Sequence, residues 1–289
     1  MTRALRLAAA LAVMGAAPAL AQDDRRPPLF VLSDDDSRVV LLGSVHVLPA
    51  DALPLPPHVE AAYAGASVVA FELDLDLAHA GAAEMMRAAV DETPVAEALS
   101  AEQRPSLDSA LVAVGLPTGA FDAFEPWFVG MTYSALALQR SGLDVAAGGV
   151  DGHLFGRAKA DGKERYALET LALQTAVFDD LPTEAQVRFL LDAVELSPSR
   201  AAAYFGDLLA AWGSGDDDAL AALLDDSLTQ PDLHDALLVT RNRAWVPQIE
   251  SLLAREGEDA LVVVGAGHLV GEASVVAMLR DAGYTVERL

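Results

Sequence analysis

Short aliphatic runs set the rhythm of the first part of the chain. Leu29–Leu32 and Val39–Val45 are mostly β-branched or aliphatic and flank the polar segment Ser33-Asp34-Asp35-Asp36-Ser37, so they read as two strands joined by a tight connection. Ser67–Leu73 is nearly continuous in Val, Ala and Phe, as a strand covered on both faces would be. Between the second and third runs, Pro56–Ala64 reads as a short helix, and strand-helix-strand order favours parallel pairing.

The middle of the chain changes period. Ala82–Val90, Ala101–Val114, Phe128–Gln139, Glu184–Glu195, Arg200–Trp212 and Asp218–Asp225 carry apolar residues three and four apart, which predicts helices. Two strand-like pieces interrupt them, Asp144–Val150 and Glu164–Leu168, joined by a helix over His153–Ala160 that Asp161-Gly162 closes. A helix over Leu237–Ala254, a strand over Ala260–Val264, a helix over Glu272–Ala282 and a strand over Tyr284–Leu289 complete the pattern. The expected fold is α/β: a central mixed, largely parallel sheet with helices packed around it and a helical insertion between two similar halves.

Ahead of this pattern, Arg3 and Arg6 precede an apolar run, Leu7–Leu20, that ends in Ala19-Leu20-Ala21. This is the layout of a secretory signal peptide cleaved after Ala21, with export to the periplasm or beyond the cell. Residues 22–28 then read as a linker and 29–289 as one α/β domain, with no transmembrane segment in the mature chain. Composition narrows the chemistry. The absence of cysteine excludes disulfides, thiolate metal sites and a cysteine nucleophile, so any metal must be held by His, Asp or Glu. A formal net charge of −24, with cations scattered singly, argues against nucleic acid as a partner. Oligomeric state is not legible.

Gly43-Ser44-Val45-His46 and Gly265-Ala266-Gly267-His268 each follow an apolar strand. In parallel α/β sheets ligand sites gather at the carboxyl ends of strands, and two imidazoles presented there can share one divalent ion. Glu72 emerges from the third strand as a third ligand, although a solvated strand end accounts for it equally well. His153 opens a helix in Gly149-Val150-Asp151-Gly152-His153, either as a fourth ligand or as an ordinary helix-start residue. Glu169 ends the Tyr166-Ala167-Leu168 strand, as a general base, a carboxylate supporting a ligand, or a helix cap. Arg241, on a helix with Trp245, can neutralise Glu72 or bind a developing oxyanion, or is an exposed helical arginine. Gly265-x-Gly267-x-x-x-Gly271 does not keep dinucleotide spacing, and Gly-x-Ser-x-Gly, Walker and His-Glu-x-x-His motifs are missing.

Six segments carry a family resemblance: Leu41-Leu42-Gly43-Ser44-Val45-His46-Val47-Leu48-Pro49, Phe71-Glu72-Leu73-Asp74, Gly149-Val150-Asp151-Gly152-His153-Leu154, Leu168-Glu169-Thr170, Arg241-Asn242-Arg243-x-Trp245 and Val264-Gly265-Ala266-Gly267-His268-Leu269-Val270-Gly271. In this order they resemble the TraB/GumN family, which is related to the Tiki metalloproteases and more remotely to the erythromycin-esterase/ChaN-like group. The resemblance implies that the paired Gly-x-x-His motifs and a glutamate form the catalytic constellation, and a Tiki-like relative implies a divalent-metal-dependent peptidase. Carried over by motif, the site is His46, Glu72 and His268, with His153 and Arg241 in support. The expected activity is hydrolysis of a peptide or small-molecule substrate by a water activated on a divalent cation (Mn, Co, Zn or Fe), with Glu169 or Glu72 taking the proton. The alternative is a non-catalytic periplasmic metal- or haem-binding protein, or an envelope accessory protein, on the same fold.

Overall fold

A computed structural model describes residues 24–49, 52–90, 92–142, 148–228 and 230–289. The apolar runs become one six-stranded sheet: β1 (Leu29–Ser33), β2 (Arg38–Ser44), β3 (Val68–Phe71), β4 (Glu164–Ala167), β5 (Ala260–Gly265) and β6 (Val286–Arg288), in spatial order β4-β3-β5-β2-β1-β6. The four strands β4, β3, β5 and β2 are parallel, and β1 and β6 close one side antiparallel to their neighbours. The expected mixed, largely parallel α/β sheet is what the chain forms.

Alternation along the strands divides the core into two layers. Val40, Leu42, Val69, Phe71, Leu261 and Val263 face one side, packed with Val59, Leu154, Phe155 and Trp212 from the helices Pro57–Gly65, Gly149–Ala160 and Pro198–Ser214. Val39, Leu41, Val68, Ala70, Val262 and Val264 face the other, against Trp245, Ile249 and Leu279 from Thr240–Leu253 and Val275–Asp281. Both faces are dry, which is why β3 and β5 are apolar without a break. The Trp212 indole donates to the Gly43 carbonyl at 2.7 Å and ties the long Pro198–Ser214 helix to the end of β2.

The helices Arg104–Ala113, Pro126–Arg140 and Thr183–Val194 build a separate apolar cluster around Leu107, Leu111, Val129 and Leu190. Leu75–Ala80, Val95–Ala98 and Pro231–His234 are short helices that no periodicity announces, and Leu171–Asp179 is a longer one, capped by the Thr170 side chain. Of the predicted strand Asp144–Val150, residues 144–147 lie outside the described residues, while Gly149 and Val150 belong to a helix. The predicted signal segment also lies outside them. The proposed linker is partly built in: the Arg26 amide donates to Gly213, Pro28 accepts from the Gly43 amide, and Arg25 is buried. Among the described residues no helix is long and apolar enough to cross a membrane.

Candidate functional site

Strand register puts the two Gly-x-x-His turns side by side. Ser44 on β2 lies opposite Gly265 on β5, so His46 and His268 leave adjacent parallel strands at the same level. On the far side of β5, Phe71 pairs with Val263, and Ala167 of β4 pairs with Phe71. One residue further on, the Glu169 amide donates to the Glu72 carbonyl at 2.9 Å. Four neighbouring strands therefore deliver His46, His268, Glu72 and Glu169 to one carboxyl edge, where α/β sheets bind ligands.

His46 is set by the start of the Gly149–Ala160 helix. Gly149 has φ +59°, and a Cβ there would stand 2.0 Å from the Val45 carbonyl oxygen and 2.7 Å from the His46 Cα, so only glycine lets the helix come this close. The approach lets the Val150 amide donate to Val45 and brings Asp151 onto the turn. One Asp151 oxygen accepts from Ser44 Oγ at 2.6 Å, and the other faces His46 Nδ1 at 3.1 Å. The charge and hydrogen bond of Asp151 raise the His46 imidazole to about 9, against the effect of burial. With Nδ1 tied to a carboxylate, Nε2 is left to face the space at Gly265, on a side chain that is 72% exposed.

His268 is held more deeply. It closes the 3₁₀ turn Ala266–His268 and is buried against the Trp245 ring, centroids 4.3 Å apart. Asn242 donates its amide to the Ala273 carbonyl, which turns its own oxygen toward His268 Nδ1 at 2.6 Å. Nδ1 is thus the protonated nitrogen and Nε2 carries the lone pair. Burial first, then Arg241 and His46, lower the imidazole to about 3, although Glu72 pulls the other way; the ring is neutral at physiological pH. The helix that supplies Asn242, Trp245 and Arg241 starts with a π turn over Asp235–Val239, and Arg241 Nη1 donates to the Leu237 carbonyl inside it. Such turns reset the angular register of a helix and recur at functional sites.

Glu72 and Glu169 bracket the Arg241 guanidinium. Nη2 donates to Glu72 Oε2 at 2.6 Å and to Glu169 Oε2 at 2.9 Å; Nε reaches both Glu169 oxygens at 3.0 and 3.1 Å; Nη1 donates to His268 Nε2 at 3.2 Å. The Trp245 indole also donates to Glu169 Oε1, at 2.9 Å. Glu72 accepts the Gly265 amide at Oε1 and the Gln174 amide at Oε2. Burial pushes the Glu72 carboxyl up, but His268, Arg241, His46 and the Gly265 amide overcome it, and the group falls to about 2. For Arg241, burial is outweighed by the two carboxylates, which raise it further.

One point lies within reach of three of these groups. A Cβ placed on Gly265 would stand 3.3 Å from Glu72 Oε1, 3.6 Å from His268 Cδ2 and 3.8 Å from His46 Nε2. Glycine leaves that space open. Two imidazoles whose Nδ1 atoms are tied to acceptors, plus an ionised carboxylate, are the donor types a divalent cation takes, once the raised His46 imidazole gives up its Nε2 proton. Among the described residues no three His, Asp or Glu side chains are drawn closely enough together to hold an ion as they stand, and Arg241 engages two of the donors.

The sequence expectation thus gathers His46, Glu72, Glu169, Arg241 and His268 into one site. His153 lies elsewhere, lining a shallow hollow with Leu53, Pro54, Glu60 and Arg157. Two residues of helix are a turn of about 200°, so when Asp151 faces His46 its neighbour His153 faces away. Asp151, Asn242, Trp245 and Gln174 are functional neighbours that sequence reasoning passed over as site residues. For the first three the signal was present, since each sits inside a segment that carries the family resemblance.

The architecture is that of an α/β protein whose largely parallel sheet carries paired strand-end histidines, and a largely buried glutamate beside an arginine, at the carboxyl edge of its strands. The chain belongs to the TraB/PrgY/gumN family, whose sequence model matches residues 28–288. It is 28% identical over 244 residues to YbaP of Escherichia coli (strain K12), itself described as uncharacterized, covering 83% of this chain and 87% of that one. A YbaP of Shigella flexneri matches to the same extent. A metalloprotease TIKI homolog of Amphimedon queenslandica is 48% identical over 54 residues, which is 18% of this chain and 11% of that protein. No solved structure matches.

Proposed function

We propose that this chain is a divalent-metal-dependent hydrolase acting on peptide bonds, with His46, Glu72 and His268 as the metal-holding residues. The observation that carries the reading is the convergence of His46 Nε2, Glu72 Oε1 and the His268 ring on the open space at Gly265. The short match to a protein named as a metalloprotease supports the choice of reaction. A bound divalent cation would supply Lewis-acid polarisation of a carbonyl and a lowered pKa for water.

The chain's own residues supply the rest. The Gly265 amide fixes Glu72 Oε1, and Asp151 and Asn242 fix the rings of His46 and His268. Both Glu169 oxygens are committed to Arg241 and Trp245, so Glu169 is a positioning residue in this reading and not the base. Glu72 is tied as fully, by Gly265, Gln174 and Arg241, and serves as a ligand through Oε1, the oxygen that faces the convergence point. The Arg241 N–H groups that now engage His268 and Glu72 would, once released, serve the oxygen on which charge develops. Beside the turn, a cavity of about 440 Å³ is lined by Leu224, Leu238, Gly267 and Val270 together with Asp225 and His234, room for a substrate side chain. The amino-terminal apolar segment supports work outside the cytoplasm.

The test is cleavage of a peptide library by purified protein, stripped with chelator and reloaded with Mn²⁺, Co²⁺, Zn²⁺ or Fe²⁺. Metal-restored cleavage that is lost in His46→Ala and His268→Ala agrees with the reading. Metal retention without turnover would instead mark a carrier, and full activity after stripping would refute metal dependence.

A further inference from the structure

We infer that Arg241 is a built-in surrogate cation, whose guanidinium holds the His268 lone pair and the Glu72 charge that a divalent ion would take and must yield them, while staying anchored to Glu169, for the ion to enter. This deepens the metal-dependent reading above and rests on it. Three observations carry it.

First, Nη1 donates to His268 Nε2, the one lone pair that ring has, because Asn242 fixes the proton on Nδ1. A ring nitrogen cannot serve an arginine N–H and a metal at once. Second, Nη2 donates to Glu72 Oε2, so one cation already neutralises the carboxylate that the ion would need. Third, the guanidinium has a separate hold. Nε and Nη2 bind Glu169, the Trp245 indole fixes Glu169 Oε1, and the Trp245 ring lies 4.9 Å under the guanidinium carbon. Arg241 can therefore release His268 and Glu72 without leaving the site.

Entry of an ion then amounts to an exchange of cations at His268 Nε2 and Glu72. With no ion bound, the guanidinium keeps both largely buried carboxylates hydrogen-bonded and offsets part of their charge, which lowers the cost of burying them. It also lowers affinity, since the ion must displace hydrogen bonds and sit close to a like charge.

The test is calorimetric titration of Mn²⁺, Co²⁺ and Zn²⁺ into stripped wild type, Arg241→Met and Arg241→Lys. Arg241→Met should bind the best of the three ions at least tenfold more tightly than wild type. Arg241→Lys, with a single ammonium that cannot bridge His268 and Glu72 as the fork does, should show a smaller gain in the same direction. Damage to the fold weakens binding, so a gain separates this role from a structural one, and the lysine variant carries the test if the methionine variant does not fold. Wild-type binding with equal or weaker affinity in the folded variants would overturn the inference and leave the metal reading standing. No binding by wild type or by any folded variant would overturn the metal reading itself, and this inference with it.

Discussion

At the scale of single residues, the site is built from second partners as much as from the groups that face the ligand. His46 and His268 each have Nδ1 committed, to Asp151 and Asn242. Asp151→Asn and Asn242→Leu should each weaken metal binding by roughly 10- to 100-fold, the usual cost of removing such support, as read by competition with a chelating dye. Gly265→Ala is the sharper probe. Its backbone is ordinary, φ −51° and ψ 137°, so alanine folds there, but the methyl intrudes between Glu72, His268 and His46. The expected outcome is a melting temperature within a few degrees of wild type together with loss of metal binding; retained binding would mean the ion sits elsewhere. His46, Glu72, Glu169, Arg241 and His268 are legible as candidates because each stands at a strand end or on a helix with Trp245, in a segment that carries the family resemblance. In Gly149-Val150-Asp151-Gly152-His153 the sequence leaves His153 open as a ligand or a helix-start residue and does not mark Asp151 as the partner of His46. Only the helical phase, set by Gly149 against the His46 backbone, decides between the two.

At the scale of elements, two junctions hold the site to the sheet. Gly149→Ala would place a methyl inside the Val45–His46 backbone at positive φ, and should cost roughly 3 kcal/mol or more and displace His46; urea unfolding and metal titration would show both effects. The second junction fastens the Pro57–Gly65 helix to the end of the Gly149–Ala160 helix, where buried Tyr63 donates to Asp161 at 2.7 Å. Burial first, then the hydrogen bond and charge of Asp161, push the Tyr63 phenol up to about 12. A folded-state value above the unfolded one of about 10 means the contribution is whole below pH 10 and is lost as pH rises through 12. Tyr63→Phe should therefore cost roughly 1–3 kcal/mol at neutral pH, with the gap to wild type narrowing above pH 10. The sheet itself was legible because β2, β3 and β5 are buried on both faces and so carry unbroken apolar runs. Leu171–Asp179 was not, since every one of its residues is only partly buried or exposed and no polar face contrasts with an apolar one. The reading of Asp144–Val150 as a strand fails at its described end because Gly148 and Gly149, both at positive φ, turn the chain directly into a helix.

At the scale of the whole molecule, the two Gly-x-x-His turns are more than two hundred residues apart, yet they flank one another across β2 and β5. Neighbouring parallel strands with both faces covered are what convert two separate sequence motifs into one site, and this juxtaposition cannot be read from either motif alone. It also makes the site a fastener between distant parts of the chain. Metal at 100 times its dissociation constant should add about 2.7 kcal/mol of stability. In a chain of this size that corresponds to roughly 5–10 °C in melting temperature, and chelator should remove it. A double variant of His46 and His268 should show no such shift.

The central claim is that His46, Glu72 and His268 serve one cation at the carboxyl edge of the sheet. Anomalous diffraction from crystals soaked in Mn²⁺, Co²⁺ or Zn²⁺ tests it most directly. A single strong peak is expected about 2.0–2.3 Å from His46 Nε2, His268 Nε2 and a Glu72 oxygen, with the Arg241 guanidinium withdrawn onto Glu169. A strong peak at another place, such as the hollow beside His153, or no peak between the two histidines at saturating metal, would contradict it.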